Sequence, residues 1–281
     1  MNKLLLKTFI LGIAGILFGL GATAQETESA YNENSVYPIM DYHQHFKHTI
    51  WRRMDLREKQ NLPFFSKSNE ITRIMIDAVK DGLIYPYIDD SLNKRMSKEQ
   101  FFENMQLPDQ QDNFGGADSG WGSSADSGWG DTGGETEAVE AASNYYFANQ
   151  LYLLKIQEDM IFDKVRARLY FDIQSIEMVL PADETATGLE KSIAVFKYKD
   201  LEALFRSLPE KAIWYNRQNT AKHLNMSDAF LLRLFHARVY KVSNPKDDQI
   251  QDIYLDPKAA LIRSQQLEEE LIETEHNLWE F

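Results

Sequence analysis

Residues 151–180 read LYLLKIQEDMIFDKVRARLYFDIQSIEMVL, and the fold class turns on them. Positions 151–161 are apolar with charged interruptions; Leu169, Phe171 and Ile173 alternate; and 176–180 continue an apolar, β-prone run. Between the halves, Asp163-Lys164 supplies turn chemistry. The stretch predicts two antiparallel strands joined by a turn.

Downstream, 193–198 reads as a further short strand and 199–208 as a helix. A second helix is expected over 227–238, with Ser227 as N-cap and Phe230, Leu231, Leu234 and Phe235 facing inward. From Pro257 onward Ala260, Ser264, Leu267, Leu271, Thr274 and Leu278 form one stripe of a last helix, against an acidic face of Glu268, Glu269, Glu270 and Glu273. Upstream, Ile71, Ile74, Met75, Ala78, Val79 and Gly82 share one face of a helix, with Asn69 as N-cap and Gly82 as terminator. Another starts at Ser97, where Gln100 completes a capping box, and stops before Pro108. Helices and strands do not alternate strictly, so the class is α+β, with mixed helices and a small antiparallel sheet.

Residues 113–134 differ in kind. They read NFGGADSGWGSSADSGWGDTGG, hold eight of the chain's 14 glycines, and contain two near-copies, ADSGWGSS and ADSGWGDT. Such composition buries too little surface to offset its ordering entropy. It predicts a flexible Gly-rich insertion, with Trp121 and Trp129 as spacer residues rather than stacking platforms. At the N-terminus, Lys3 and Lys7 precede an apolar run of about 15 residues that ends in Gly21-Ala22-Thr23-Ala24, too short to span a bilayer and shaped like a cleaved export signal. The expected organisation is therefore a signal peptide over 1–24, a flexible arm over 25–41 and a mainly helical part over 42–112. A low-complexity Gly/Ser/Trp linker over 113–136 and an α+β part over 137–281 follow, the latter either separate from 42–112 or in one body with it.

The 281 residues include no cysteine, which excludes disulfides, thiolate metal sites, a cysteine nucleophile and an N-terminal lipid anchor. The net charge is −13, and −15 once Lys3 and Lys7 are removed. That balance argues against a general nucleic-acid binder and against a binder of anionic headgroups. No G-x-S-x-G, H-E-x-x-H, G-x-G-x-x-G or phosphate-loop motif occurs. His43, His45 and His48 form the only metal-like cluster; in a strand, 43 and 45 would share a face and 48 would not. No cofactor is expected. A periplasmic metal-dependent enzyme and a carbohydrate-binding module stand as alternatives; the latter needs aromatic rings on a rigid face, and the Trp121/Trp129 repeat does not supply one.

Three segments mix aromatic, arginine and carboxylate residues: TIWRRMDLREKQNLPFF (49–65), EDMIFDKVRAR (158–168) and EHNLWEF (275–281). Such mixtures either brace the edge of a core or form an interface, where Trp, Tyr and Arg dominate binding. Within them and beyond, Trp51-Arg52, Asp55-Leu56-Arg57-Glu58-Lys59, Asn61, Pro63, Glu158-Asp159, Phe162-Asp163-Lys164, Tyr240-Lys241, Ser243-Asn244, Glu275-His276 and Leu278-Trp279-Glu280 follow in the order of the GldN/PorN family, which the chain resembles along nearly its whole length. It departs from the family pattern at Met160, where an aromatic is common, at Phe281 in place of tyrosine, and in the glycine-rich repeat.

The resemblance implies a non-enzymatic, structural component of the type IX secretion and gliding machinery. It implies a periplasmic ring built with a GldK/PorK-type outer-membrane lipoprotein, and contact with the periplasmic part of a GldM/PorM-type inner-membrane motor protein. Location at the inner face of the outer membrane would come through the lipoprotein, without direct membrane insertion. Candidate partner-interface residues are Trp51, Arg52, Asp55, Arg57, Glu58, Asn61, Asp159, Phe162, Asp163, Asn244, His276 and Trp279.

Overall fold

In the computed structural model, which describes residues 34–108, 145–185 and 187–278, the 151–180 stretch forms a long antiparallel hairpin. Its strands are β5 (Leu153–Asp163) and β6 (Arg168–Leu180), paired from Leu153↔Val179 to Asp163↔Arg168 with a bulge at Gln174. Asp163 closes the turn: Oδ1 accepts from the amides of Val165 (2.8 Å) and Arg166 (3.3 Å), and Ala167 adopts a left-handed φ of 49°. The glycine-rich insertion, the export signal, 25–33 of the arm and Trp279 lie outside the described residues.

The hairpin sits at the centre of a six-stranded antiparallel sheet, ordered β10-β1-β5-β6-β7-β4. β1 spans Gln44–Asp55, β4 Pro86–Tyr87, β7 Lys191–Lys197 and β10 Arg238–Val242. Four further two-residue strands, β2 (Phe65–Ser66) with β3 (Asn69–Glu70) and β8 (Ile213–Trp214) with β9 (Leu224–Asn225), make two small ladders. The longest element between 42 and 112 is thus a strand, not a helix. Because β1 pairs with both β5 and β10, the two halves of the chain share one sheet. Residues 34–41, expected within a flexible arm, include the buried Ser35 and Ile39, and the Gln44 side chain donates to the Ile39 carbonyl at 2.9 Å.

Directly paired residues share a face. The rows Arg52–Ile156–Ile176–Phe196 and Met54–Leu154–Met178–Ala194 therefore point to one side. There they meet helices α1 (Ile71–Lys80), α2 (Lys98–Asn104), α3 (Tyr198–Ser207) and α4 (Met226–Leu231) in the main core. The next rows on the same face are Ile50–Glu158–Ile173 and His48–Met160–Phe171; from them Ile50, Met160 and Phe171 enter a smaller cluster with Val239, capped by Leu267 and Leu271 of α6 (Pro257–Asn277), while Ile173 stays in the main core. A one-turn helix, α5 (Ile250–Ile253), precedes it. The opposite face carries Lys47, Thr49, Trp51 and Arg53 from β1 and Lys155 and Gln157 from β5, and is polar.

The helices obey their local signals with two exceptions. α1 ends in a Schellman motif, with Leu83 N–H on Ala78 C=O (2.8 Å), Gly82 N–H on Val79 C=O (3.1 Å) and Gly82 at φ 73°. Its N-cap position is Glu70, not Asn69, and no side chain caps it. α2 has the expected reciprocal Ser97–Gln100 capping box. α4 is capped by Asn225 rather than Ser227 and stops at Leu231, well short of 238. The same motif ends it, but with Arg233 (φ 52°) where glycine ordinarily stands: Leu234 N–H reaches Ala229 C=O and Arg233 N–H reaches Phe230 C=O.

Both edges of the sheet are blunted. β4 is two residues long and contains Pro86; β10 pairs with β1 across a bulge and lies under α6, whose Ser264 hydroxyl donates to Val239 C=O at 2.6 Å.

Candidate interaction surface

Arg52 and Glu158 lie side by side on β1 and β5, at the seam between the two apolar clusters. Arg52 Nε donates to Glu158 Oε1 at 2.5 Å, and its Nη1 donates to Glu268 Oε1 of α6 (2.6 Å) and Ala237 C=O (3.2 Å). From the end of α4, Arg233 adds two further bonds to Glu158, at 2.7 and 3.2 Å, while its guanidinium lies 4.5 Å from the Phe171 ring centre. The Glu158 side chain is fully buried. Burial opposes its ionisation, but the charges and hydrogen bonds of Arg233 and Arg52 outweigh that and hold its carboxyl below the usual carboxylate range. The Arg52–Glu158 pair thus ties strands β1 and β5 to α6 and to the end of α4.

Several other residues of the family-like motifs also serve the fold from inside. Asn61 is fully buried: its amide donates to Asp55 C=O (2.7 Å) and His236 C=O (2.8 Å), and its oxygen accepts from His236 N–H (2.8 Å). Asp163 is held below the usual carboxylate range, because its donors Val165 N–H, Arg166 N–H and the Arg166 guanidinium (2.9 Å) outweigh desolvation. Phe162 is buried and packs edge-on to His45. Asn244 organises the loop after β10, accepting from Lys246 and Asp248 amides at 3.1 and 3.0 Å.

Asp159, on the polar face, accepts from Thr49 Oγ1 at 2.7 Å and pairs with Lys47 at 3.0 Å. Its cross-strand neighbour is Asp172, and there burial, helped by the Asp159 charge, pushes the carboxyl up to about 6 despite hydrogen bonds from Ser35 and Gln174.

The segment after β1 offers more to the surface. Arg57 is half exposed, stacks over Tyr152 with 3.3 Å from guanidinium carbon to ring centre, and lies near Asp55 and Asp183. Glu58 bridges His236 (2.6 Å) and Arg238 (3.0 Å). His276 is exposed in the last turn of α6. Trp51 is half-buried: its Nε1 donates to Asp90 at 3.1 Å and Lys241 sits 4.3 Å over its ring.

His43 lies in a 3-10 turn before β1, and His45 and His48 occupy positions of opposite parity within it, His48 stacked on Phe46. Among the described residues, no three His, Asp or Glu side chains stand close enough to hold a metal ion. No helix among them is long and apolar enough to cross a membrane. Arg233 and Glu268, which complete the buried network, escape sequence reading: one stands amid an apolar run and the other within a solvated-looking acidic face.

The described residues thus form a sheet with helices on one side, pinned by a buried arginine–carboxylate network. Residues 39–280 match the family described as "Gliding motility associated protein GldN". The chain belongs to that family. None of the curated proteins matches it.

Proposed function

We propose that this chain is a non-enzymatic structural component of the type IX secretion system. In this reading it forms a periplasmic ring with a GldK/PorK-type outer-membrane lipoprotein, contacts a GldM/PorM-type motor protein, and supports secretion and gliding. Its place is the periplasm, at the inner face of the outer membrane, held there by the lipoprotein. The observation that carries this is the family match over residues 39–280.

The contact falls to groups that keep exposed atoms, Asp55, Arg57, Glu58 and His276; Trp279, outside the described residues, remains a candidate on its sequence alone. Arg52, Asn61 and Asp163 are committed to the chain's own fold and support that surface from beneath. The test is affinity capture of the tagged chain from its own cells, with mass identification of what remains bound. Recovery of the lipoprotein in near-stoichiometric amount supports the reading. Recovery of the tagged chain alone, from cells that still secrete, overturns it.

A further inference from the structure

We propose that the cavity between Trp51 and Tyr240 is a binding site for a pyranose sugar, taken as one unit of a glycan chain. The cavity, of about 280 Å³, lies on the polar face of the sheet. Two cross-strand rows floor it, Trp51–Gln157–Ser175 and Lys155–Glu177–Val195, and the loop at 88–90 walls one side. Tyr240 enters because the β1/β10 ladder skips a residue between Trp51 and Arg52, leaving 240 unpaired.

A pyranose ring offers an apolar C–H face and a rim of hydroxyls, each of which donates and accepts. Its site needs an aromatic surface beside fixed groups of both kinds. Here Trp51 is fixed by its bond to Asp90, the Gln157 oxygen by Ser175 Oγ (3.1 Å), and Lys155 by Glu190 (3.2 Å). What remains is complementary. Among the described residues the Gln157 amide nitrogen, the Tyr240 hydroxyl and the Glu177 carboxylate have no hydrogen-bond or ion-pair partner. They supply, in turn, a donor, a donor–acceptor and an acceptor. Groups locked by their own neighbours lose little freedom when a ligand arrives.

Asp89, Asp90 and Glu177 line the cavity beside a single lysine, Lys155, so a basic side chain is the competing occupant. Against it, Lys241, outside the cavity lining, already stands 4.3 Å over Trp51 and Lys155 stands 5.7 Å over Tyr240, so a basic ligand would meet two cations of the chain's own. Tyr240 also lines a second cavity, of about 360 Å³, shared with Arg53 and Gln251. Tyr240 thus stands between two cavities, as a site for a chain of sugars rather than a single one requires. The inference stands apart from the ring role, and its test reads neither secretion nor motility.

The test is an NMR titration of the full mature chain, following the Trp51 indole N–H, identified by its loss in Trp51→Phe. Chitotetraose, cellotetraose and the peptide Gly-Arg-Gly are each added to about 10 mM, where even millimolar ligands saturate. A saturable shift with either sugar is expected, weakened about tenfold in Glu177→Gln, as one charge-assisted hydrogen bond of about 1.4 kcal/mol requires. The sugar that responds distinguishes an N-acetylated glycan from a plain glucan. Silence with both sugars overturns the proposal. So does a response to Gly-Arg-Gly alone, which would make the cavity a socket for a basic side chain, or sugar binding left untouched by both Glu177→Gln and Tyr240→Phe.

Discussion

The guanidinium of Arg52 and the carboxylate of Glu158, 106 residues apart in sequence, meet on neighbouring strands with side-chain exposures of 11% and 0%. Each has a second ionic partner, Glu268 for Arg52 and Arg233 for Glu158. Removing one partner of a buried pair typically costs about 3–5 kcal/mol, because the remaining charge is left unpaired. Here the survivor keeps its second partner, so Arg52→Ala and Glu158→Ala are each expected near the low end of that range, about 3 kcal/mol, in denaturant unfolding. The double variant Arg52→Met/Glu158→Leu should recover most of the loss, since well-packed apolar pairs often equal a buried ion pair. A double variant no better than the singles would show the network to be irreplaceable.

Arg57 provides the contrast. Its side chain is 53% exposed and rests on Tyr152, so its removal should change folding stability by less than about 1 kcal/mol. If the proposed interface includes it, Arg57→Ala should weaken lipoprotein binding by about 1–2 kcal/mol, measured with purified partners. Equal affinity for the two proteins would remove Arg57 from the contact.

Asp172 gives a pH signature of unusual sign. Its folded pKa of about 6 lies above the unfolded carboxylate value of 3.8, so the folded state holds this proton more tightly. The associated stability is fully present below about pH 4 and is lost as pH rises through about 6. The window corresponds to about 3 kcal/mol at most, less whatever solvent reaches the group. Asp172→Asn should therefore be more stable than the parent at pH 7.5, with the advantage vanishing towards pH 4. Glu158 acts oppositely: its depressed pKa gives stability that is lost as acid protonates it. Parallel melting curves from pH 4 to 7.5 for the parent and Asp172→Asn separate the two effects.

Asn61 is a three-bond latch between the end of β1 and the approach to β10. Asn61→Ala should cost about 3 kcal/mol, at about 1 kcal/mol per bond. Hydrogen exchange at the His236 amide, which Asn61 shields, should accelerate along with it. Fast exchange there with unchanged global stability would mean the latch opens locally.

What was legible in the sequence follows from where polar groups sit. The hairpin over 151–180, its Asp163 turn and the capping box at Ser97 were readable because alternation and turn chemistry agree. β1 was not. Its buried positions run Ile50, Arg52, Met54, and the arginine in the middle disguises an inward-facing strand as a charged patch. The early stop of α4 was hidden for a related reason. Arg233 occupies a left-handed position that glycine would have announced, and it stands there because its guanidinium is needed by Glu158. The interface candidates Asn61, Asp163 and Asn244 carry the composition of contact residues, yet all three organise backbone turns. The cavity at Trp51 and Tyr240 depends on a skipped ladder pair that no spacing rule reveals.

The order of the strands also sets a clock. β1 leaves the ribosome first, but its neighbours are β5, which ends at Asp163, and β10, which ends at Val242. In a chain bound for the periplasm β1 pairs only after export, so it stays unpaired until β5, and then β10, have followed it across the membrane. A twelve-residue strand left unpaired that long invites aggregation. His45, Lys47, His48, Arg52, Arg53 and Asp55 scatter charge and polarity along its whole length. The arginine that later neutralises a buried carboxylate also adds charge to β1 while that strand is still unpaired.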